Sequence, residues 1–396
     1  MQGLLIINAG SSSLKFAMFK APLAEGAQSI FRGQIDGIGA ETKFVAKGEQ
    51  GETLTDTVIR APEDSDFEAQ QEFALEYLLD WIEARNVSLQ AVGHRVLHGG
   101  EDYSAPVRIT LEVFATLESF IPLGPLHQPH NLRPIRVLAR KYPQLPQVAC
   151  FDTAFHRTQP WVAQTYPIPR KFTQEGVKRY GFHGTSYEYV SRQLPTVIGQ
   201  KAQGAVVIAH LGNGASMAAL RDLKCVATTM GFTAAEGLMM GTRSGTIDPA
   251  ILLYLAERHG YSTEQQSRVI YKESGLLGVS GISQDMRTLE TSDAPEAREA
   301  IELFCYRAAR EIGSLAMAAG GLDALVFTGG IGENSSHVRS TIVGYLGWLG
   351  AKLDDDANSQ RGKAQVISTS DSGVTVAVVP TNEEWMIAHH TSTLLG

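Results

Sequence analysis

The stretch IINAGSSSLKF, residues 6–16, sets an amide (Asn8), three hydroxyls (Ser11, Ser12, Ser13) and an ammonium (Lys15) around one glycine. A plain hairpin needs none of these groups. A turn that holds an oxyanion can use them beside its backbone, because glycine lets the chain approach closely and successive N–H groups form a concavity for negative charge. Two further glycine turns follow apolar runs. HLGNG carries His210, Leu211, Gly212, Asn213 and Gly214, and GIGEN carries Gly330, Ile331, Gly332, Glu333 and Asn334. One such turn alone reads as a tight bend; three with polar side chains read as phosphate binding. Lys15 lacks the upstream glycine spacing of a P-loop, and Gly330-Ile331-Gly332 lacks the third glycine of a dinucleotide fingerprint.

Four more residues have types and settings suited to chemistry on anions. Arg95 ends an apolar run in GHRVLHGG, Arg243 lies between glycines in MGTRSGTIDP, His183 sits in YGFHGTS, and Asp152 follows an apolar run in CFDTAF. Three of them also have a structural reading: Arg95 as a strand-end arginine, His183 as a loop histidine and Asp152 as a turn cap, whereas Arg243 between glycines is poorly placed for a structural ion pair. The pairs His94/His98 and His127/His130 lack a third ligand or a zincin glutamate, so neither reads as zinc.

These groups need rigid elements behind them. Short apolar runs at 4–7, 16–19, 92–97, 148–151, 206–209, 325–327 and 374–379 read as strands. In DFEAQQEFALEYLLDWIEAR the residues Ala74, Tyr77, Leu78, Trp81 and Ile82 share one helical face, with Ser65 or Asp66 as cap. Ile301, Phe304, Cys305, Ala308, Ile312, Leu315, Ala316 and Ala319 form a second stripe that Gly320-Gly321 ends. Strands and helices alternate throughout, so the class is α/β. LLIINAGSSSLKF and VVIAHLGNGASMA share a strand–turn–strand pattern, which reads as two related halves.

With 396 residues, two domains are expected. A net charge of -8 argues against nucleic acid. Cys150, Cys225 and Cys305 are widely spaced, as in a reducing compartment. No secretory leader and no membrane span are read, so a cytoplasmic protein is expected.

Taken in order, NAGSSSLKF, GHRVLHGG, FDTAFH, YGFHGTS, HLGNGAS, GLMMGTRSGTIDP, GGIGENS and PTNEEWMIA resemble the motifs of the acetate kinase family across nearly the whole chain. The resemblance implies two ribonuclease-H-like domains of the actin-like ATPase superfamily flanking a nucleotide cleft. It also implies a homodimer that uses ATP/ADP and Mg²⁺ (Mn²⁺ as an alternative) to convert acetate reversibly into acetyl phosphate by direct in-line transfer. Domains of 1–150 with 384–396 (acyl and metal side) and 151–383 (nucleotide and dimerisation side) are expected. Such a reaction brings a carboxylate, ionised at neutral pH, against an anionic phosphoryl group, so it demands positioning and cations rather than a base.

By resemblance, Arg95 holds the acyl carboxylate, Arg243 and His183 stabilise the moving phosphoryl group, and Asp152 orients the acyl group and the metal. Asn8 and Glu383 would ligate the metal, with Glu384 one residue away. Ser11, Ser13 and Lys15 point at the phosphoryl group, and His210 to Gly214 lie near the phosphates. Asp285, Met286 and Arg287, with Gly330 to Asn334, bind adenosine, although Asp285 reads almost as well as a helix cap. His127 lies near the acyl phosphate. Leu97 and Ala234 stand where the family usually has a valine and a proline around the acetate methyl, so acetate over propionate is a preference worth only about 1–3 kcal/mol per methylene. Thr246 replaces an aspartate often seen before IDP. A propionate or butyrate kinase is the rival within the class, and a chaperone-type nucleotide switch is the rival outside it.

Overall fold

The computed structural model describes residues 1–395 and divides into two compact units: Met1–Ala154 with the chain from Asn382 onward, and Phe155–Thr381. These limits lie within four residues of the expected cuts after 150 and 383, with Asp152 and Glu383 in the first unit. The reason is local hydrogen bonding. Asp152 N–H still bonds the Val96 carbonyl (3.1 Å), prolonging a strand of the first unit. Asn382 Oδ1 accepts from Trp385 N–H (3.0 Å), so this cap travels with the C-terminal helix.

The first unit is built on strands β1 (Gln2–Ala9), β2 (Ser13–Lys20), β3 (Phe31–Asp36), β4 (Thr42–Gly48), β5 (Thr53–Ile59), β6 (Ser88–Val96), β7 (Val107–Arg108) and β8 (Gln147–Phe151). Their order is β5-β4-β3-β2-β1-β6-β8-β7. The second unit has β9 (Ala205–Leu211), β10 (Ala215–Arg221), β11 (Lys224–Thr228), β12 (Ala324–Thr328), β13 (Gln365–Val366) and β14 (Thr375–Val378), in the order β11-β10-β9-β12-β14-β13. Both sheets share a five-strand centre. An antiparallel hairpin (β1–β2, β9–β10) continues into a third antiparallel strand, and two parallel strands lie on its other side. This is the ribonuclease-H-like arrangement, present twice. Asn8 pairs with Lys15 in the first hairpin, and His210 with Ser216 in the second. The duplication read from the sequence is therefore a duplication of hairpins.

Alternation along each strand decides what covers its faces. In the first unit, Leu5, Ile7, Phe16 and Met18 pack with Leu75, Leu78, Trp81 and Ile82 of helix α1 (Phe67–Glu83). Asp66 is the cap: its carboxylate accepts from Ala69 N–H at 2.8 Å. The opposite face accepts the C-terminal helix, which runs from Glu383 to Leu395. Gly93 of β6 permits this approach, because a β-carbon there would lie 2.3 Å from Thr391 Oγ1 and 2.8 Å from Ile387. In the second unit, Val206, Ile208, Ala218 and Val326 pack with Tyr187, Val190 and Leu194 of the helix at Gly184–Ile198. Helix Pro295–Ala319 buries Ile301, Phe304, Cys305, Ala308, Ile312 and Leu315, and Gly320 ends it in the left-handed conformation (φ 75°).

Candidate active site

Within the first unit, Asn8 at the end of β1 and Arg95 near the end of β6 come together because these strands pair in parallel, with Ile7 opposite His94. Arg95 Nη1 donates to Asn8 Oδ1 at 3.1 Å. Asp152, fully buried just past β8, takes Arg95 side-on: Nε donates to Oδ1 at 2.8 Å and Nη2 donates to Oδ2. The guanidinium expected to hold a substrate carboxylate thus already holds a protein carboxylate. Of the five N–H donors on an arginine these three bonds use three and leave two. Asp152 is neither a turn cap nor a free base; it fixes Arg95.

Glu383, at the first turn of the C-terminal helix, lies with Oε2 3.9 Å from Arg95 Nε. Burial pushes its carboxyl up to about 7, with Asp152 and Glu384 adding to the shift and Arg95 and Lys15 opposing it. Glu384 instead lines a groove with Lys15, so Glu383 is the residue that faces Arg95. Asn8, Asp152 and Glu383 present hard oxygen donors, the set that suits a divalent cation keeping most of its waters. Among the described residues no group of three or more His, Cys, Asp or Glu side chains forms a metal cage on its own.

Sequence reasoning missed the residue that ties this cluster to the serine turn. Asn131, buried in the helix at Gln128–Lys141, donates from Nδ2 to the Ala9 carbonyl at 2.6 Å and accepts from Leu97 N–H at 2.9 Å. One amide so clamps the start of the β1–β2 turn and the exit of β6. Gln71 of α1 holds the Ser11 carbonyl at 2.6 Å. Ser11 and Lys15 are exposed and Ser13 is half-buried. Leu97 is buried, its side chain against Gly124, whose carbonyl accepts from His127 N–H at 3.0 Å.

In the second unit the β9–β10 turn forms the corresponding centre. His183 Nδ1 and Ser216 Oγ are 2.8 Å apart, and Tyr187 OH lies 2.6 Å from the same hydroxyl. The His183 and His210 rings stack at 4.3 Å. His210 Nδ1 is 2.8 Å from Ser186 Oγ, which donates to Thr381 Oγ1 at 2.8 Å. A methyl placed on Gly214 would lie 3.3 Å from His183 Nε2 and 3.7 Å from Arg243 Nη1, so two donors converge on this turn. Arg243 Nη1 donates to the Ala234 carbonyl at 3.1 Å. Asn213 is exposed at the turn's tip, and its carbonyl accepts from Gly241 N–H at 2.9 Å. Thr246, the departure before IDP, closes the loop that carries Arg243: Thr246 N–H donates to the Gly237 carbonyl at 2.9 Å, and Gly237 N–H donates to Thr246 Oγ1 at 3.2 Å.

The third glycine segment begins a short helix, Gly329–Asn334, at the end of β12. Gly329 (φ 77°) is required, because a β-carbon there would meet Leu211 backbone atoms at 2.8 Å. Gly330 is exposed and Ile331 half-buried, while Gly332 is buried. Glu333 turns back on the backbone: its Oε1 accepts from Gly329 N–H at 2.9 Å and Thr381 N–H at 3.0 Å. Asn334 Nδ2 returns to the Gly330 carbonyl at 2.9 Å. Buried Arg339, also missed, braces the segment through the Gly332 and Glu333 carbonyls (2.9 and 3.0 Å). Asp285 is a helix cap, accepting from Arg287 N–H at 2.9 Å and pairing with the Arg287 guanidinium at 2.6 Å. Met286 is buried and Arg287 exposed, so only Arg287 of the two has a side chain open to solvent.

A model of the acetokinase family matches residues 3–389. The chain belongs to the acetokinase family. The acetate kinase of Rhodopseudomonas palustris is 51% identical over 391 residues, covering 98% of this chain and 97% of that protein. The crystal structure of Porphyromonas gingivalis acetate kinase is 38% identical with a TM-score of 0.90 over the whole of both chains. A propionate kinase from Francisella tularensis subsp. tularensis SCHU S4 is equally identical, at 38%, with a TM-score of 0.89 and complete coverage of both.

Proposed function

We propose that the chain catalyses reversible transfer of the γ-phosphoryl group of ATP to acetate, giving acetyl phosphate and ADP. The observation that carries this reading is the Arg95–Asp152–Asn8 cluster in a chain that matches its family over residues 3–389. It leaves two guanidinium N–H groups, fixed in direction, for a small carboxylate.

Acetate is its own nucleophile and needs no base. Arg95 orients the carboxylate and Asp152 stops the guanidinium from turning away. Leu97 limits the room for its methyl group, with Ala234 and His127 as further contacts. The backbone of Gly212–Gly214, with Asn213 and His210, receives the nucleotide phosphates, helped by Ser11, Ser13 and Lys15. His183 and Arg243 place hydrogen bonds and charge on the equatorial oxygens that become most negative in transfer. Gly330, Ile331 and Arg287 lie about the adenosine, while Gly332, Glu333, Asn334, Asp285 and Met286 shape those segments from within. Asn8 and Glu383 would hold Mg²⁺, or Mn²⁺ in its place, which supplies positive charge to the nucleotide phosphates.

A cytoplasmic homodimer is part of the proposal. The helices at Ala250–His259 and Thr263–Lys272 bury no residue, and Leu253 and Tyr254 are 63% and 56% exposed, which supports a partner surface there. No helix among the described residues is long and apolar enough to cross a membrane. The test is hydroxylamine trapping with acetate, propionate and butyrate in parallel. Hydroxamate formed fastest from acetate supports the reading; fastest formation from propionate transfers it to that substrate, and ATP loss without hydroxamate overturns it.

A further inference from the structure

Beside the C-terminal helix, the same face of the first sheet carries a basic groove, of whose lining only Lys15 enters the reaction described above. Its volume is ≈ 410 Å³, and it is lined by Lys15 of β2, Arg32 and Gln34 of β3, and Val45 and Lys47 of β4, with Glu384 at one end. The pairing register puts Arg32 directly opposite Lys47, and Gln34 opposite both Lys15 and Val45. Like charges facing one another across an antiparallel pair are destabilising. On the same face, Lys43 has its charge balanced by Asp56 at 2.8 Å. Among the described residues no carboxylate pairs with Arg32 or Lys47. A chain with a net charge of -8 therefore keeps two facing, uncompensated cations in a concavity. The groove runs up to the candidate site, since Lys15 pairs with Asn8 and its charge is felt by Glu383.

We propose that this groove binds a phosphate-bearing anion and passes the phosphorylated substrate to the neighbouring site. Fixed cations in a cleft raise the local concentration of anionic substrate and speed its capture. The anion's phosphate completes the charge balance that Asp56 supplies to Lys43. The delivery step and the identity of the natural anion, acetyl phosphate or ATP, rest on the proposed function; anion binding by the groove does not.

The experiment is titration of the full chain with inorganic phosphate at low ionic strength, by calorimetry and by thermal melting. The variants are Arg32→Gln/Lys47→Gln together, and Lys43→Gln as the control. The double variant is expected to bind phosphate about tenfold more weakly at this site, in keeping with the worth of two surface cations. It is also expected to melt higher than the wild type without phosphate, because the repulsion is gone. Lys43→Gln keeps phosphate binding. In steady state the double variant keeps kcat, while kcat/KM falls and loses salt dependence for whichever of acetyl phosphate or ATP enters this way. Phosphate affinity unchanged in the double variant overturns the site. Phosphate binding weakened in a protein that makes no acetyl phosphate leaves the site standing and removes only the functional reading.

Discussion

Arg95 and Asp152, 57 residues apart in the sequence, form a side-on ion pair in which the carboxylate is fully buried and the guanidinium keeps 22% of its side chain exposed. Removing one partner of a buried pair leaves an uncompensated charge, a loss of about 3–5 kcal/mol. Asp152→Ala is therefore expected to lower stability by about that amount, and Arg95→Ala/Asp152→Ala to cost less than the sum of the single changes. Denaturant melts of the four proteins check this. Additive losses would mean that the pair does not act as a unit.

Arg243 is held at the Ala234 carbonyl and reaches the Gly214 turn. Arg243→Ala is expected to lower kcat by about 10³-fold, as loss of a cation at a moving phosphoryl group does, with nucleotide affinity nearly unchanged. Turnover assays beside equilibrium nucleotide binding separate the two. Equal loss of both would make Arg243 a binding residue only.

Asn131 satisfies the Ala9 carbonyl and the Leu97 N–H with one buried amide. Asn131→Ala strands both groups, at about 1–3 kcal/mol each. Because the clamp spans the serine turn and the strand of Arg95, kcat is expected to fall while the protein remains folded. Asn131→Asp keeps the acceptor for Leu97 but not the donor for Ala9, and is expected to recover little. A variant with lowered melting temperature and normal kcat would reduce Asn131 to a packing residue.

Buried histidines set an acid limit. Burial lowers His94 to about 4, against a weaker upward pull from its bond to Gln147, and lowers His156 likewise to about 4, against its bond to the Phe182 carbonyl. Folded values below the unfolded 6.5 mean that the stabilisation is complete above about 6.5 and is lost as pH falls toward 4. About 3 kcal/mol per histidine should disappear over that window. Unfolding free energies measured from pH 7 to 4 test it; a flat profile would show that neither histidine is held neutral.

Much of this was legible in the sequence, for reasons of burial. Strands β1, β2, β6, β8, β9, β12 and β14 are seen because buried strands read as apolar runs. Strands β3 and β4 escaped, since Arg32, Gln34, Lys43 and Lys47 alternate with buried residues and dilute the signal. The motifs named Arg95, Asp152, His183 and Arg243, but no motif encodes that Asp152 occupies Arg95. Asn131, Ser216 and Arg339 were missed because their partners are backbone atoms or side chains tens of residues away, which composition and spacing do not carry. That the Glu333 carboxylate satisfies local N–H groups is likewise invisible in its motif.

The most direct measurement follows the stereochemistry of transfer from ATP made chiral at the γ-phosphorus with oxygen isotopes. On the proposed function, direct attack by acetate gives acetyl phosphate with inverted configuration. Retention would mean that a group on the protein carries the phosphoryl in between, which contradicts a site built to position two anions rather than to supply a nucleophile.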